Sequence, residues 1–208
     1  MLVRPDNFTS LKTNLMKWIF SLAAVCFLTL HAVQAQDMPQ IDKSPMDAAY
    51  FPARAAFRAF EDSEAKQEAL KPVIRVLYSR PQKKDRNVFG ELVAYDKVWR
   101  TGANEATEIT FYEDVVLGDT KIKAGRYTLY TKPGEEEWEV MINTDLDTWG
   151  AYAYKPEQTI ATTTVPVQET PSTVEAFTIM FEEVNDGAHM IIAWDDTMVR
   201  VPFKTWSM

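Results

Sequence analysis

The chain has one cysteine, Cys26, and two histidines, His31 and His189, in 208 residues. A lone cysteine cannot close an internal disulfide, so no covalent staple supports the fold. Zinc sites draw mainly on several thiolate and imidazole ligands, which this inventory cannot supply. Basic residues are also in deficit: 22 Lys and Arg stand against 30 Asp and Glu, a formal net charge of −8. Nucleic-acid binding requires a basic face that neutralises phosphates, so this balance argues against that partner. It equally disfavours a purely electrostatic grip on anionic membranes. Long apolar runs are missing too. The one apolar stretch, Trp18 to Leu30, falls short of the roughly 20 residues that cross a bilayer.

Lys12 and Lys17 precede that stretch, and Ala32-Val33-Gln34-Ala35 follows it with small residues at Val33 and Ala35. A charged start, an apolar middle and a small-residue site predict a signal peptide over residues 1–35, cleaved to leave Gln36. An uncleaved anchor and a lipoprotein attached through Cys26 are the alternatives. Val25 is bulkier than the small residue expected before a lipid-bearing cysteine. Cleavage after Ala35 removes Cys26 and His31. It also removes Arg4, Lys12 and Lys17 with only Asp6, so the exported chain is more acidic still and cysteine-free. No transmembrane segment then remains.

Residues 36–72 read as a lead-in. Asp47 to Leu70 is rich in alanine among alternating charges, with Pro52 near its start and Pro72 after its end. This composition predicts a short helix around Glu61 to Leu70. From Val73 onward the hydrophobic period becomes two, which marks strands. Ile74, Val76 and Tyr78 share one face, as do Trp138, Val140 and Ile142, then Phe177, Ile179 and Phe181. Met190, Ile192 and Trp194 follow the same rule, and so do Val199, Val201 and Phe203. Gly118-Asp119, Ala124-Gly125, Pro133-Gly134 and Asn185-Asp186-Gly187 supply tight reversals, and Asp195-Asp196 is expected to reverse the last pair. Gln168 to Thr173, with Pro171, is expected to be a loop. Pro166 confines Thr162 to Val167 to an edge or a strand end. Short strands joined by tight turns are antiparallel, because parallel neighbours need long crossovers. The expected fold is all-β, an antiparallel β-sandwich with a short N-terminal helix and a closed β-barrel as runner-up. Residues 73–208 and the lead-in form one domain in this reading.

No reaction is marked. His189 lies in a strand and no nucleophile-elbow sequence is present. Glu135-Glu136-Glu137 reads as a solvated loop. Asp145, Asp147 and Gly150 faintly suggest a calcium loop, but Trp149 and Pro156 occupy positions that need ligands. Asp195, Asp196, Glu105 and Glu108 could be proposed as a hydrolytic carboxylate pair, yet no spacing sets two of them across a cleft. No catalytic residue, metal ligand or cofactor is therefore assigned.

Binding residues are a different matter. Tyr78 to Thr107 is irregular and carries Arg80, Arg86 and Arg100 in an acidic chain. Arginine forks match carboxylate and phosphate and stack on aromatic rings. With Trp99, Asn104 and Glu105 they could orient a small polar, acidic or saccharide ligand, and Trp149 or Tyr152 could stack on a sugar. The competing reading is structural: the arginines pair with Glu91, Glu105 or Glu108 and hold the connection together.

Several runs are similar to one family. They are Tyr78-Ser79-Arg80-Pro81-Gln82-Lys83, Phe89-Gly90-Glu91-Leu92-Val93, Trp99-Arg100-Thr101-Gly102-Ala103-Asn104-Glu105-Ala106-Thr107 and Ala193-Trp194-Asp195-Asp196-Thr197. Together with Lys43-Ser44-Pro45-Met46-Asp47 and Ala124-Gly125-Arg126-Tyr127, they resemble the domain of unknown function 2911 family from about Asp42 to Phe203. The resemblance implies an exported protein of a Gram-negative bacterium, periplasmic or at the outer surface. It implies no activity, ligand or catalytic residue. Asp96 departs from the family's usual glycine, which implies a local turn adjustment.

Three functions follow as expectations. The first is a non-catalytic envelope protein binding a small polar, acidic or saccharide ligand. The second is a structural or assembly module contacting another envelope protein. The third and weakest is a carboxylate-dependent hydrolase.

Overall fold

Nine strands run antiparallel to their neighbours: β1 (Met46–Phe51), β2 (Ile74–Ser79), β3 (Thr107–Phe111), β4 (Val115–Leu117), β5 (Thr120–Ile122), β6 (Gly125–Pro133), β7 (Glu137–Asn143), β8 (Thr159–Val184) and β9 (Gly187–Thr205). They are seen in a computed structural model that describes residues 37–205. The strands, core and cavity discussed below belong to one unit, Asp42–Met208. The expected signal peptide lies outside the described residues. Among those residues, no helix is long and apolar enough to cross a membrane.

The strand order is β1-β2-β3-β6-β7-β8-β9-β4-β5, with β1 and β5 at opposite ends, so the sheet is open rather than a closed barrel. β8 folds it into layers. Its first part, Thr159 to Pro166, pairs with β7, and from Val167 onward it pairs with β9. Pro166 stands opposite Glu137 at the last step of the first ladder, where a missing N–H is tolerated. Rings then meet across the fold: Phe51 and Phe181 at 6.2 Å, Tyr78 and Phe177 at 5.7 Å, Phe111 and Phe203 at 5.5 Å. The Tyr78 hydroxyl donates to the Ile179 carbonyl at 3.1 Å.

The period-two residues fill the space between. Ile74, Val76, Ile109, Leu129, Val140, Ile142, Met190, Ile192, Val199 and Val201 are each at most 1% exposed. Burying each such side chain stabilises by about 1.5–3 kcal/mol before chain entropy is counted. The β-sandwich expectation therefore describes the molecule.

Local expectations fared unevenly. α1 (Glu64–Ala69) lies inside the expected helical range, and Ser63 caps it by accepting from the Lys66 N–H. The start of the alanine-rich stretch, Asp47 to Phe51, instead belongs to β1: Ala49 and Phe51 point into the core, and tertiary pairing with β2 overrides alanine's helical preference. Asp195-Asp196 does not reverse the chain. Asp195 sits inside β9 at φ 60°, where the β8–β9 register shifts, so its left-handed backbone makes a bulge rather than a turn. Gln168 to Thr173 likewise lies within β8, with Gln168 opposite Met198 and a register shift after Glu169. Asp96 adopts φ 57°, a glycine-like conformation that aspartate tolerates better than most residues.

Candidate functional site

The connection from Arg80 to Ala106 has little regular structure, yet it is tied down along its length. Phe177 N–H donates to the Pro81 carbonyl at 2.9 Å, and Lys83 N–H to the Glu175 carbonyl at 2.7 Å. Lys83 Nζ pairs with Asp195 at 3.1 Å, so the β9 bulge holds the start of the loop. Trp99 and Thr131 exchange backbone hydrogen bonds at 2.7 and 3.0 Å. The far end is clamped by Ala106 N–H on the Thr148 carbonyl and Gly150 N–H on the Asn104 carbonyl.

Between those anchors the backbone is strained. Thr101 and Asn104 have φ values of 57° and 59°. A β-branched residue in that region costs about 1–3 kcal/mol and persists only where its surroundings over-determine it. Thr101 is wholly buried. Its hydroxyl meets that of Thr131 at 3.0 Å, and its carbonyl accepts from Thr107 Oγ1 at 2.7 Å. A Cβ on Gly102 would stand 3.0 Å from the Ser79 carbonyl, so only glycine lets this turn lie against β2.

This arrangement encloses an open cavity of about 670 Å³. Its floor is apolar: the Trp99 and Trp194 rings, stacked with centroids 6.2 Å apart and 13° between planes, together with Leu92 and Val93. Its rim is basic: Lys43, Lys84, Arg86 and Arg100 against Asp85, the one acid among the described lining residues.

Arg86, Trp99, Arg100 and Asn104 come together on this cavity. Arg80 does not. Its Nε donates to the Phe177 carbonyl at 3.0 Å and its other nitrogens to Asp47 and Thr178 at 2.9 Å, which ties β1, β2 and β8 together. Glu105 lines a separate, smaller cavity with Thr128 and Asp147. Trp149 and Tyr152 are 63% and 87% exposed and stand outside the lining. The structure also corrects the expectation that the three arginines pair with Glu91, Glu105 or Glu108. Arg80 takes Asp47. Arg86 donates to the Lys83 and Gln82 carbonyls. Glu91 accepts from Asn87, while Glu108 takes Arg75 and Arg126.

Arg100 takes no carboxylate among the described residues. Its Nε is buried without a hydrogen-bond partner. Burial pulls its guanidinium below the ordinary arginine range, and only the neighbouring Tyr152 phenol works the other way. Arginine nonetheless stays charged at neutral pH, so a cation with no carboxylate partner among the described residues lines the cavity. Sequence reasoning passed over Lys43, Lys84 and Trp194 as site residues. Trp194 lies in β9 and Lys43 in the lead-in, so nothing local joins them to the Arg80–Ala106 connection.

The acids of the supposed calcium loop are engaged elsewhere, Asp145 with Lys155 and Asp147 with Arg126, each at 2.9 Å. Residues 61–203 match the model of a family described as protein of unknown function (DUF2911). The chain belongs to this family. The DUF2911 match takes in α1 and the strands from β2 into β9, and with them every lining residue of the cavity except Lys43 and Ser44. No curated protein and no solved structure matches the chain.

Proposed function

We propose that this DUF2911 member is an exported, non-catalytic β-sandwich that binds a small acidic ligand in the cavity beneath the Arg80–Ala106 connection. The observation that carries this reading is Arg100. A half-buried guanidinium that finds no carboxylate among the described residues, in a chain of net charge −8, gains a charged partner once an anion arrives. Lys43, Lys84 and Arg86 place further positive charge around the same opening, which draws an anion in despite the acidic whole. The volume lies inside the ordinary range for small-molecule sites, about 300–1,000 Å³.

The test is thermal shift and calorimetry on the exported chain with small carboxylates, phosphates, uronic acids and neutral sugars. An acidic compound raises Tm and Arg100→Gln removes the effect; a ligand at 100 times its Kd adds about 2.7 kcal/mol. If no acid stabilises the protein, the reading is wrong. Export has its own check: the periplasmic or secreted protein begins at Gln36, and an intact leader would refute it.

A second reading, an assembly module contacting another envelope protein, has one observation in its favour. Phe57 and Met180 are 58% and 51% exposed and share a shallow apolar hollow with Ala48 and Phe181. Phe57→Ser with Met180→Ser would then abolish co-purification of a specific envelope protein while leaving acid binding intact.

A further inference from the structure

The cavity's polar groups are unequally available, and that inequality narrows what it accepts. Both indoles of the floor have spent their N–H groups. Trp99 Nε1 donates to the Gly102 carbonyl at 3.1 Å, and Trp194 Nε1 to the Glu175 carbonyl at 3.2 Å. Leu92, Val93 and Pro81 add only carbon. Asn104 Nδ2 donates to Asp42 at 3.0 Å, and Arg86 gives its Nε and Nη2 to the Lys83 and Gln82 carbonyls. The available donors therefore sit on the rim, on Arg100, Lys43 and Lys84 together with the Ser44 hydroxyl and the Gln82 amide, and the floor has none to spare.

We propose that the ligand is an amphiphilic anion: one carboxylate or phosphate head on Arg100, and an apolar body laid over Trp99, Trp194, Leu92 and Val93. This rests on the acidic-ligand reading above and specifies it. A sugar acid would satisfy Arg100 equally well, but its hydroxyls would press against a floor whose donors are taken. Each hydroxyl left without a partner forfeits the hydrogen bond it made to water. An apolar body forfeits nothing there and releases the water over Leu92, the exposed part of this apolar surface. At ~30 Å³ for each water-sized group, the space holds roughly twenty such groups, enough for a medium-chain or ring-bearing acid.

The experiment is calorimetry on the exported chain with acetate, butyrate, hexanoate and octanoate, with octyl phosphate, octanol, glucuronate and inorganic phosphate alongside. Affinity should rise roughly fourfold per methylene until the cavity is full, the equivalent of about 0.8 kcal/mol for each. Octyl phosphate should bind as octanoate does, and glucuronate and inorganic phosphate at least tenfold more weakly. Arg100→Gln should weaken octanoate tenfold or more and leave octanol unaffected, with Arg100→Lys recovering part of the loss. Leu92 is 43% exposed, so Leu92→Glu tolerates its new charge. It should abolish octanoate binding without touching Arg100, which guards against a misfolded Arg100 variant.

If glucuronate or phosphate binds as tightly as octanoate, the amphiphile is wrong and the acidic-ligand reading survives. If octanol matches octanoate and Arg100→Gln changes neither, both fail, and both fail also if no acid binds.

Discussion

Arg80 and Phe177 are 97 positions apart, yet the Arg80 Nε donates to the Phe177 carbonyl at 3.0 Å. With Asp47 and Thr178 on its other nitrogens, this side chain links one layer of the sandwich to the other. Arg80→Met should destabilise the protein by about 2–4 kcal/mol, because charge-assisted bonds contribute more than neutral ones and their acceptors are left behind. Urea unfolding followed by tryptophan fluorescence measures it. A loss below about 0.5 kcal/mol would make the cross-layer bonds ornamental.

Arg100 should behave in the opposite way. Arg100→Met removes a guanidinium whose Nε is buried without a partner, so stability should hold or rise by up to about 1 kcal/mol. Ligand-induced stabilisation disappears in the same variant. Measuring both arginine variants in one urea series separates a scaffold residue from a binding residue. A marked destabilisation of Arg100→Met would reassign Arg100 to the scaffold.

Thr101→Val keeps the shape and removes the hydroxyl facing Thr131 at 3.0 Å. The expected loss is about 1–2 kcal/mol, from a buried hydroxyl deprived of its partner. Amide exchange should quicken at Thr107, whose N–H donates to the Arg100 carbonyl across this turn, while β8 stays protected.

Asp114 gives a pH signature. Its carboxylate accepts from Lys123 and from the Ala124 N–H, with Lys121 also near, and these hold its pKa at about 2 against an ordinary 3.8. A depressed folded-state value contributes stability that is present above 3.8 and is lost as pH falls through about 2. Asp114→Asn should therefore flatten the fall in stability between those two pH values. Parallel urea curves for the two proteins at the ends of that window check it; an unchanged slope would show the pairing to be absent in solution.

Much of the fold could be read from the chain because its strands are buried on one face and alternate cleanly. The alternation of Trp138, Val140 and Ile142 falls on β7, Glu137–Asn143. β1 was hidden by Ala48 and Ala49, whose helical preference says nothing about the β2 partner that captures them. Asp195 could equally have marked a turn or a bulge, since aspartate tolerates positive φ in both, and the choice depends on Lys83 more than a hundred positions upstream. The site shows the same division. The Trp99-Arg100-Thr101-Gly102 run drew attention because it is unusual, but nothing local distinguishes Arg80, with side-chain partners on β1 and β8, from Arg100, whose Nε is buried without one and which has no carboxylate among the described residues.

β8 has one further implication. The same backbone is zipped to β7 up to Pro166 and to β9 beyond it, so neither half of the sandwich owns a complete set of strands. The two halves are then a single cooperative unit. Deuterium uptake at Val140 and at Ile192 should report one shared opening free energy, and a cut made in β8 should release both together.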